Sequence, residues 1–578
     1  MRLHTGLPEA HLESHCHPRE VAIAFASIPI SGPYGVPADS SSVELLPDPT
    51  LVQQQLKRVH AVIEERALNL HKGPVASTKD FVERCLTELP ADLPSEGLGL
   101  TATTSHLLET IAPALMPGQA GPRCFGLVIG GVTPAAQIAD ELVASYDPCV
   151  QVHWPAATAS VALEGLALSY LLSLLSLPFN FSQNTFTTGA TASNILGLAL
   201  GRDWTIATVK HHQGVEAWSV SEDGFGGVEV DVFIADAHAS VRKAAALVGI
   251  GRRNVVELGD GKLEAQGRLI CFDLARLEER LADNVEKGRG SIIATSFGEV
   301  NTGAINRDTP ALRTLADKYG AWLHIDAAFG AFAVLHPEFE PYKAHLALGD
   351  SITSDAHKWL NVPYDCGLFF SRPKPFPSST TSLFNLTGPG ANAPAYLTTP
   401  SAAIDSSASL HPKLDASRPL PSPLFMNIEN SRRLRALPVL ASLLSSGREG
   451  YASLIQRNIT FARQVESLLR SHSAYDVLTP PSASLDDPDP FAFRILNVVL
   501  FAPSSTAPAR YRVASADNPD PAATFLNALN ESNEIFLTGT AWRGRKAVRL
   551  AVSNWLTELE EGREWKVVER VLERVMEE

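Results

Sequence analysis

The chain reads as an α/β protein with a mainly parallel sheet, a helical segment before it and a smaller α+β domain after it. Three observations predict this. Short apolar runs alternate with helix-length segments between about residues 146 and 371, the pattern of βαβ units whose sheet is covered on both faces. Upstream, apolar side chains recur with a helical period; downstream, a long helical stretch precedes a few short strands. At 578 residues the chain also exceeds what one hydrophobic core serves, so several structural units are expected.

The elements follow in order. Residues 1–48, rich in Pro and Ser, read as a flexible leader. His11, His15, Cys16 and His17 cluster there, but no second ligand pair is spaced to close a site, so no metal is expected. Residues 49–145 read as an N-terminal helical segment. Val52, Leu56, Val59 and Ile63 form a helical stripe that Gly73-Pro74 ends. Residues 146–425 form the large domain. The apolar stretch Val161 to Pro178 is broken by Glu164, Gly165 and serines, which marks a buried helix rather than a membrane span.

Strands are expected at Asn184–Thr187, Thr205–Lys210, Val230–Ala235, Asn254–Glu257, Ser291–Thr295, Trp322–Ile325, Ser351–Thr353 and Gly367–Ser371. Helices are expected at Ile195–Gly201, Val241–Gly249, Leu274–Asn284 and Pro310–Lys318. Residues 372–424 are rich in Pro, Ser, Thr and Ala, and read as a lid or flexible insert. Residues 426–578 form the small domain: a helix at Asn430–Arg470, strands near Ile495–Phe501 and Arg549–Val552, and a charged helix at Glu558–Glu578.

A formal charge of -15 argues against a nucleic-acid partner, which calls for a basic face. The start lacks the apolar core of a secretory signal, and no run is long enough to span a membrane. Six cysteines, at 16, 85, 124, 149, 271 and 366, show no CxxC spacing. A reduced, cytoplasmic setting is the expectation.

Two segments carry the chemistry. Ala321-Trp-Leu-His-Ile325 is an apolar strand ending on Asp326, followed by Ala327 and Ala328. Ser351-Ile-Thr-Ser-Asp-Ala-His357-Lys358-Trp359 places a lysine beside a histidine just after a second buried strand. A lysine amine and a strand-end aspartate are the two protein groups that pyridoxal 5'-phosphate requires. The lysine forms a Schiff base, and the aspartate keeps the ring nitrogen protonated so that the ring acts as an electron sink. The phosphate needs a helix N-terminus with small residues. Thr187-Thr-Gly189-Ala190-Thr191-Ala-Ser-Asn194, between a strand and a helix, offers one.

In order and spacing these segments resemble the group II pyridoxal-dependent amino acid decarboxylases, which include the aromatic amino acid and glutamate decarboxylases. Ser351-Ile352, five residues, then Lys358-Trp359 is similar to that family's lysine site. The resemblance covers nearly all but the first 45 residues. It implies the fold-type I architecture of pyridoxal enzymes, a homodimer, and PLP held by Lys358, Asp326, Ala328, Gly189, Ala190, Thr191 and His357. It also implies that His238, after strand Val230–Ala235, stacks on the ring as a candidate proton carrier. Asn301 or Thr302, in a turn that departs from the family's wording, would touch the cofactor. Arg432, Arg433 and Arg435 lie in its arginine-bearing segment, where an arginine could hold a carboxylate bidentately, with a helix-surface role as the other reading.

The activity implied is decarboxylation of an L-amino acid, aromatic first and acidic second, to an amine and carbon dioxide. The alternatives are an aldehyde synthase, another carbon–carbon lyase or aminotransferase, and a non-catalytic relative. In the family a mobile loop supplies a tyrosine that returns the proton, or a phenylalanine in the aldehyde synthases. Residues 399–424 contain neither. His411 is the candidate donor there, with Tyr364 and Tyr396 as the others.

Overall fold

The computed structural model describes residues 48–151, 154, 157–375, 380–381, 423–484 and 486–577. The leader, most of the expected insert, His411 and Tyr396 therefore lie outside the described residues. Contacts divide the chain after Gln54, and residues from Gln55 onward form one compact unit.

Three helices open the described chain: α1 (Pro49–Asn69), α2 (Lys79–Glu88) and α3 (Gly99–His106). Thr78 caps α2, its hydroxyl accepting from the Phe81 N–H. Then come α4 (Pro134–Tyr146) and α5 (Ser160–Leu174). Glu164, which interrupts the apolar run of α5, is buried against the Arg432 guanidinium at 2.8 Å, so the charge is paired rather than stranded.

A seven-stranded sheet follows: β1 (Gln183–Thr187), β2 (Val230–Ile234), β3 (Val255–Glu257), β4 (Gly290–Ser296), β5 (Trp322–Asp326), β6 (Ser351–Asp355) and β7 (Gly367–Ser371). Its order is β1-β7-β6-β5-β4-β2-β3. All pairings are parallel except the two made by β7, which runs against both β1 and β6. Every residue of β2, β4, β5, β6 and β7 is buried. This fits a sheet covered on both faces, whose strands read as continuous apolar runs.

The covering helices are α6 (Ala190–His212), α7 (Ala239–Leu247), α8 (Leu274–Glu286) and α9 (Thr309–Tyr319). One expectation fails here: Thr205–Lys210 is not a strand but the last turns of α6. Its β-branched residues suggest a strand locally, yet the Thr205 hydroxyl donates to the Gly201 carbonyl and that of Thr208 to Trp204, each at 2.8 Å. Both hydroxyls thus find partners inside the helix, while Thr205, Ile206 and Ala207 are buried. Packing outweighs propensity.

The chain closes with α10 (Ala436–Ser471), bent at Gly447 where φ is 59°. A four-stranded antiparallel sheet follows: β8 (Tyr475–Val477), β9 (Val498–Pro503), β10 (Thr538–Trp542) and β11 (Arg545–Ala551), in the order β8-β9-β11-β10. Helices α11 (Pro521–Asn530) and α12 (Arg563–Glu577) pack on it. Because α10 also packs on α4 and α5, we propose that the boundaries at 145 and 425 separate regions of one body.

Candidate active site

The carboxyl ends of β5 and β6, the N-terminus of α6 and the start of α7 surround a cavity of about 380 Å³. Ligands of open α/β sheets bind at such strand ends. Its wall includes Gly189, Ala190, Thr191, His238, Asp326, Ala328, His357 and Lys358. Eight of the ten expected cofactor residues are thus brought together.

Each arrives for a local reason. Gly189 to Thr191 form the first turn of α6, where backbone N–H groups lack intrahelical partners. Gly367 lets β7 run past this turn: a Cβ there would sit 2.3 Å from Thr187 Oγ1 and 2.5 Å from Gly189 Cα. At the end of β6, Lys358 Nζ lies 3.1 Å from Asp355 Oδ2. His357 Nδ1 accepts from the Cys366 N–H at 3.1 Å, and its ring lies 4.4 Å from that of Tyr364. Burial pushes the His357 imidazole below its usual pKa.

Asp326 closes β5. Its Oδ2 accepts from Asn194 Nδ2 at 2.9 Å, and its Oδ1 from the Ala328 N–H at 3.2 Å. Asn194, in the first turns of α6, is wholly buried and anchors a network that fixes proton positions. Trp322 Nε1 donates to Ser351 Oγ at 2.9 Å, which frees the serine proton for His324 Nδ1 at 2.8 Å. Asn194 Nδ2 donates to both Asp326 and Ser240 Oγ, so its Oδ1 must accept from His324 Nε2–H at 2.8 Å. His324 therefore carries a proton on Nε2, and burial, which pushes its pKa down to about 4, keeps the ring neutral near neutral pH. Gly197 makes room for that ring, since a Cβ there would lie 2.4 Å from His324 Cε1.

The same amide reaches His238. Ser240 Oγ, having accepted from Asn194, donates to His238 Nδ1 at 2.7 Å, and the Ser240 N–H also points there. His238 thus both caps α7 and lines the cavity, with its proton on Nε2. Burial lowers its pKa and favours this neutral form.

One expectation is placed differently by the structure. Asn301 and Thr302 do not line the cavity; Ser296, Gly298, Glu299 and Val300 do. Thr302 is fully buried, and both residues instead donate to the Glu299 carboxylate, side chain and backbone alike, at 2.8 to 3.0 Å. The arginine segment holds carboxylates, as one of its two readings has it. Arg432 and Arg435 grip Glu164 and Asp365 of this chain bidentately and are buried rather than on a helix surface, Arg433 holds Asp140, and none of the three lines the cavity. Asp355 and Asn194 were missed. A carboxylate closing a buried strand, the signal that singled out Asp326, marks Asp355 as well.

A second cavity of about 320 Å³ shares His357 and Tyr364 with the first. Leu115, Met116, Ile129, Val132 and Val362 give it apolar walls, and Arg66 contributes one guanidinium.

The residues present fit a planar group with three features: an anion for the α6 N-terminus, a ring N–H for Asp326 and a carbonyl within reach of Lys358. The small side chains of Gly189, Ala190, Ala192 and Ala328 leave the wall open to it. Comparison with known proteins agrees. Residues 83–383 match the family described as the pyridoxal-dependent decarboxylase conserved domain. The chain is 25% identical over 494 residues to tryptophan decarboxylase 1 of Oryza sativa subsp. japonica, covering 85% of this chain and 87% of that protein. It is 25% identical over 529 residues to phenylacetaldehyde synthase of a Rosa hybrid cultivar, covering 90% and 93%. Among solved structures, Oryza sativa TDC with PLP and tryptamine superposes with a TM-score of 0.72 at 22% identity, covering 92% and 99%.

Proposed function

The chain belongs to the pyridoxal-dependent decarboxylase family, and from that premise we propose that it converts an aromatic L-amino acid to its amine and carbon dioxide. It is a carboxy-lyase whose cofactor is pyridoxal 5'-phosphate. When bound, that cofactor supplies an electron sink for the negative charge left as carbon dioxide departs.

Lys358 would hold the cofactor through its amine, the only lysine that lines the cavity among the described residues. Asp326 would hold a proton on the ring nitrogen, and the Asn194 and Ala328 donors keep its carboxylate aimed. Gly189, Ala190 and Thr191, at the α6 N-terminus, take the phosphate. His238 presents Nε2–H to the reacting face while Ser240 locks its other nitrogen. Ala328 is the small wall residue behind the ring.

The observation that carries the substrate class is the apolar chamber beyond His357 and Tyr364. Leu115, Met116, Ile129, Val132 and Val362 suit an aromatic side chain, whose burial is worth about 1.5–3 kcal/mol. Relatives named as tryptophan decarboxylase and tyrosine decarboxylase support this reading. A second reading, an acidic substrate, rests on Arg66 in the same chamber. A relative named as phenylacetaldehyde synthase keeps aldehyde formation as the alternative outcome.

Three groups compete to return the proton to the substrate carbon, Tyr364, His411 and Tyr396, the last of them outside the described residues. Tyr364 lines the cavity, its phenol pushed up to about 12 by burial and so fully protonated at neutral pH. His411 lies outside the described residues. Turnover lost in Tyr364→Phe but kept in His411→Ala assigns the step to Tyr364; the reverse assigns it to His411.

The expected homodimer finds support in Leu86, Leu93, Leu98, Leu107, Ile138 and Leu142, exposed apolar side chains before residue 155 that a second copy of the chain would cover. The direct test of function is to give the cofactor-loaded protein a mixture of L-amino acids and identify products by mass spectrometry. An aromatic amine is expected. An amine from glutamate or aspartate that disappears in Arg66→Ala selects the second reading, and an aldehyde with ammonia selects the alternative outcome. Lys358→Ala should abolish all of them and leave no lysine to which borohydride can fix the cofactor.

A further inference from the structure

Asp355 is a carboxylate with no place in the scheme above. It ends β6, is 2% exposed and forms part of the cavity wall. Its Oδ2 faces Lys358 Nζ at 3.1 Å and His357 Nε2 at 3.6 Å. Its Oδ1 is buried and has no hydrogen-bond partner. A buried carboxylate oxygen left unpaired costs roughly 1–3 kcal/mol, so such an atom points to a partner that arrives with a ligand.

The position of Oδ1 matters. A Cβ built on Gly189 would lie 3.8 Å from it and 3.4 Å from His357 Cε1. Asp355 therefore borders the first turn of α6, the turn assigned above to the phosphate. A phosphate dianion there meets a bare carboxylate oxygen across a dry wall, where like charges repel strongly. A protonated carboxyl reverses the sign, because its O–H donates to the anion.

We propose that Asp355 takes a proton from solvent as the cofactor phosphate enters, so that loading of the site is coupled to proton uptake at this carboxyl. The proposal rests on the reading of the cavity as the pyridoxal phosphate site. The charge balance is simple: two negative charges enter, one proton follows, and no bond other than O–H forms. The other titratable groups facing Asp355 are Lys358 and, when protonated, His357, whose charges favour the carboxylate, Asp326, which opposes it, His238, whose neutral form burial favours, and Tyr364 and Cys366, both protonated near neutral pH. Burial already raises the Asp355 pKa, outweighing Lys358 and His357.

The test is calorimetric titration of the cofactor-free, full-length chain with pyridoxamine 5'-phosphate. This probe has the phosphate and ring but no aldehyde, so Lys358 forms no bond with it. Heats measured in buffers of different ionisation enthalpy give the protons taken up. The native chain should take up about one proton more than either Asp355→Asn or Asp355→Ala. Its affinity should also fall up to about tenfold more per pH unit on raising the pH. Pyridoxamine without phosphate should show no such difference between native and variant chains. Equal proton counts overturn the proposal, as does a difference that persists without the phosphate. A native chain that binds no pyridoxamine 5'-phosphate overturns the cofactor reading as well, which separates the two failures.

Discussion

The two sheets bury their interiors in opposite ways. Between α6, β5 and β6, Asn194, His324 and Ser351 are 0% exposed and joined to Asp326 and His238 through hydrogen bonds of 2.7 to 3.0 Å. In the C-terminal sheet the same depth is filled by Val499, Phe501, Val548 and Leu550, packed on Phe525, Leu529 and Leu572. A buried polar group is costly unless satisfied, whereas an apolar core stabilises without regard to direction. The larger sheet accepts that cost where a carboxylate and an imidazole must be held in one protonation state. The smaller sheet has no such duty at its core and meets the turn that lines the site where Thr540 donates to Asn301 Oδ1 at 2.7 Å and Arg549 to the Val300 carbonyl at 3.2 Å.

Cutting into each interior tests that contrast most severely. Phe501→Ala should cost about 3–5 kcal/mol of stability through the cavity it leaves, yet leave the cofactor affinity of the folded fraction unchanged. Asn194→Ala should cost about 3 kcal/mol, because His324 Nε2–H, Asp326 Oδ2 and Ser240 Oγ all lose a partner. It should also weaken cofactor binding by at least about tenfold, since the group aiming Asp326 is gone. Urea denaturation and cofactor titration by absorbance separate the two effects. If Asn194→Ala loses only stability, the polar layer is a structural core like the other and the contrast disappears.

How much of this was legible in the sequence follows from the same physics. Strand ends were readable because apolar runs stop where a polar residue must emerge, which located Asp326 and Lys358 and the expected strands of the large sheet. Thr205–Lys210 misled because β-branched residues look alike in a strand and in a helix whose carbonyls satisfy their hydroxyls. Asn301 and Thr302 were misread because a one-residue difference in a turn exchanges the side chains that face inward. Asn194 lay in plain view beside Thr191, but hydrogen bonds to residues 46 to 132 positions away leave no periodic trace. The apolar chamber is drawn from residues 115–132 and 362–364, and only the fold brings those together.

A milder perturbation is pH, which reaches the titratable members of the polar layer and leaves the apolar core untouched. His324 is held neutral with its pKa pushed down to about 4, against an ordinary 6.5 in the unfolded chain. Between those values the unfolded chain binds the extra proton. The stabilisation is therefore complete above about pH 6.5 and is lost as the pH falls toward 4. The full effect is about 3 kcal/mol, of which about 2 kcal/mol is gone by pH 5. Denaturation curves at pH 7 and pH 5 should show this slope in the native chain and a shallower one in His324→Gln. An unchanged slope in the variant assigns the pH dependence to other groups.

The smallest expected effect lies where the two sheets meet. Thr540→Val removes one hydroxyl and leaves the shape of β10 intact, so the loss is that of a single half-buried hydrogen bond, about 1 kcal/mol. Asn301 still donates to Glu299 Oε1 from both its backbone and its side chain, so the Ser296–Gly303 turn keeps its form and turnover should fall by less than about threefold. A loss as large as that of Asn194→Ala, measured as kcat/KM on the identified substrate, would mean that the C-terminal sheet does more than buttress the cavity. The turn would then be positioned from outside the large sheet, and the division of labour between the two interiors would have to be redrawn.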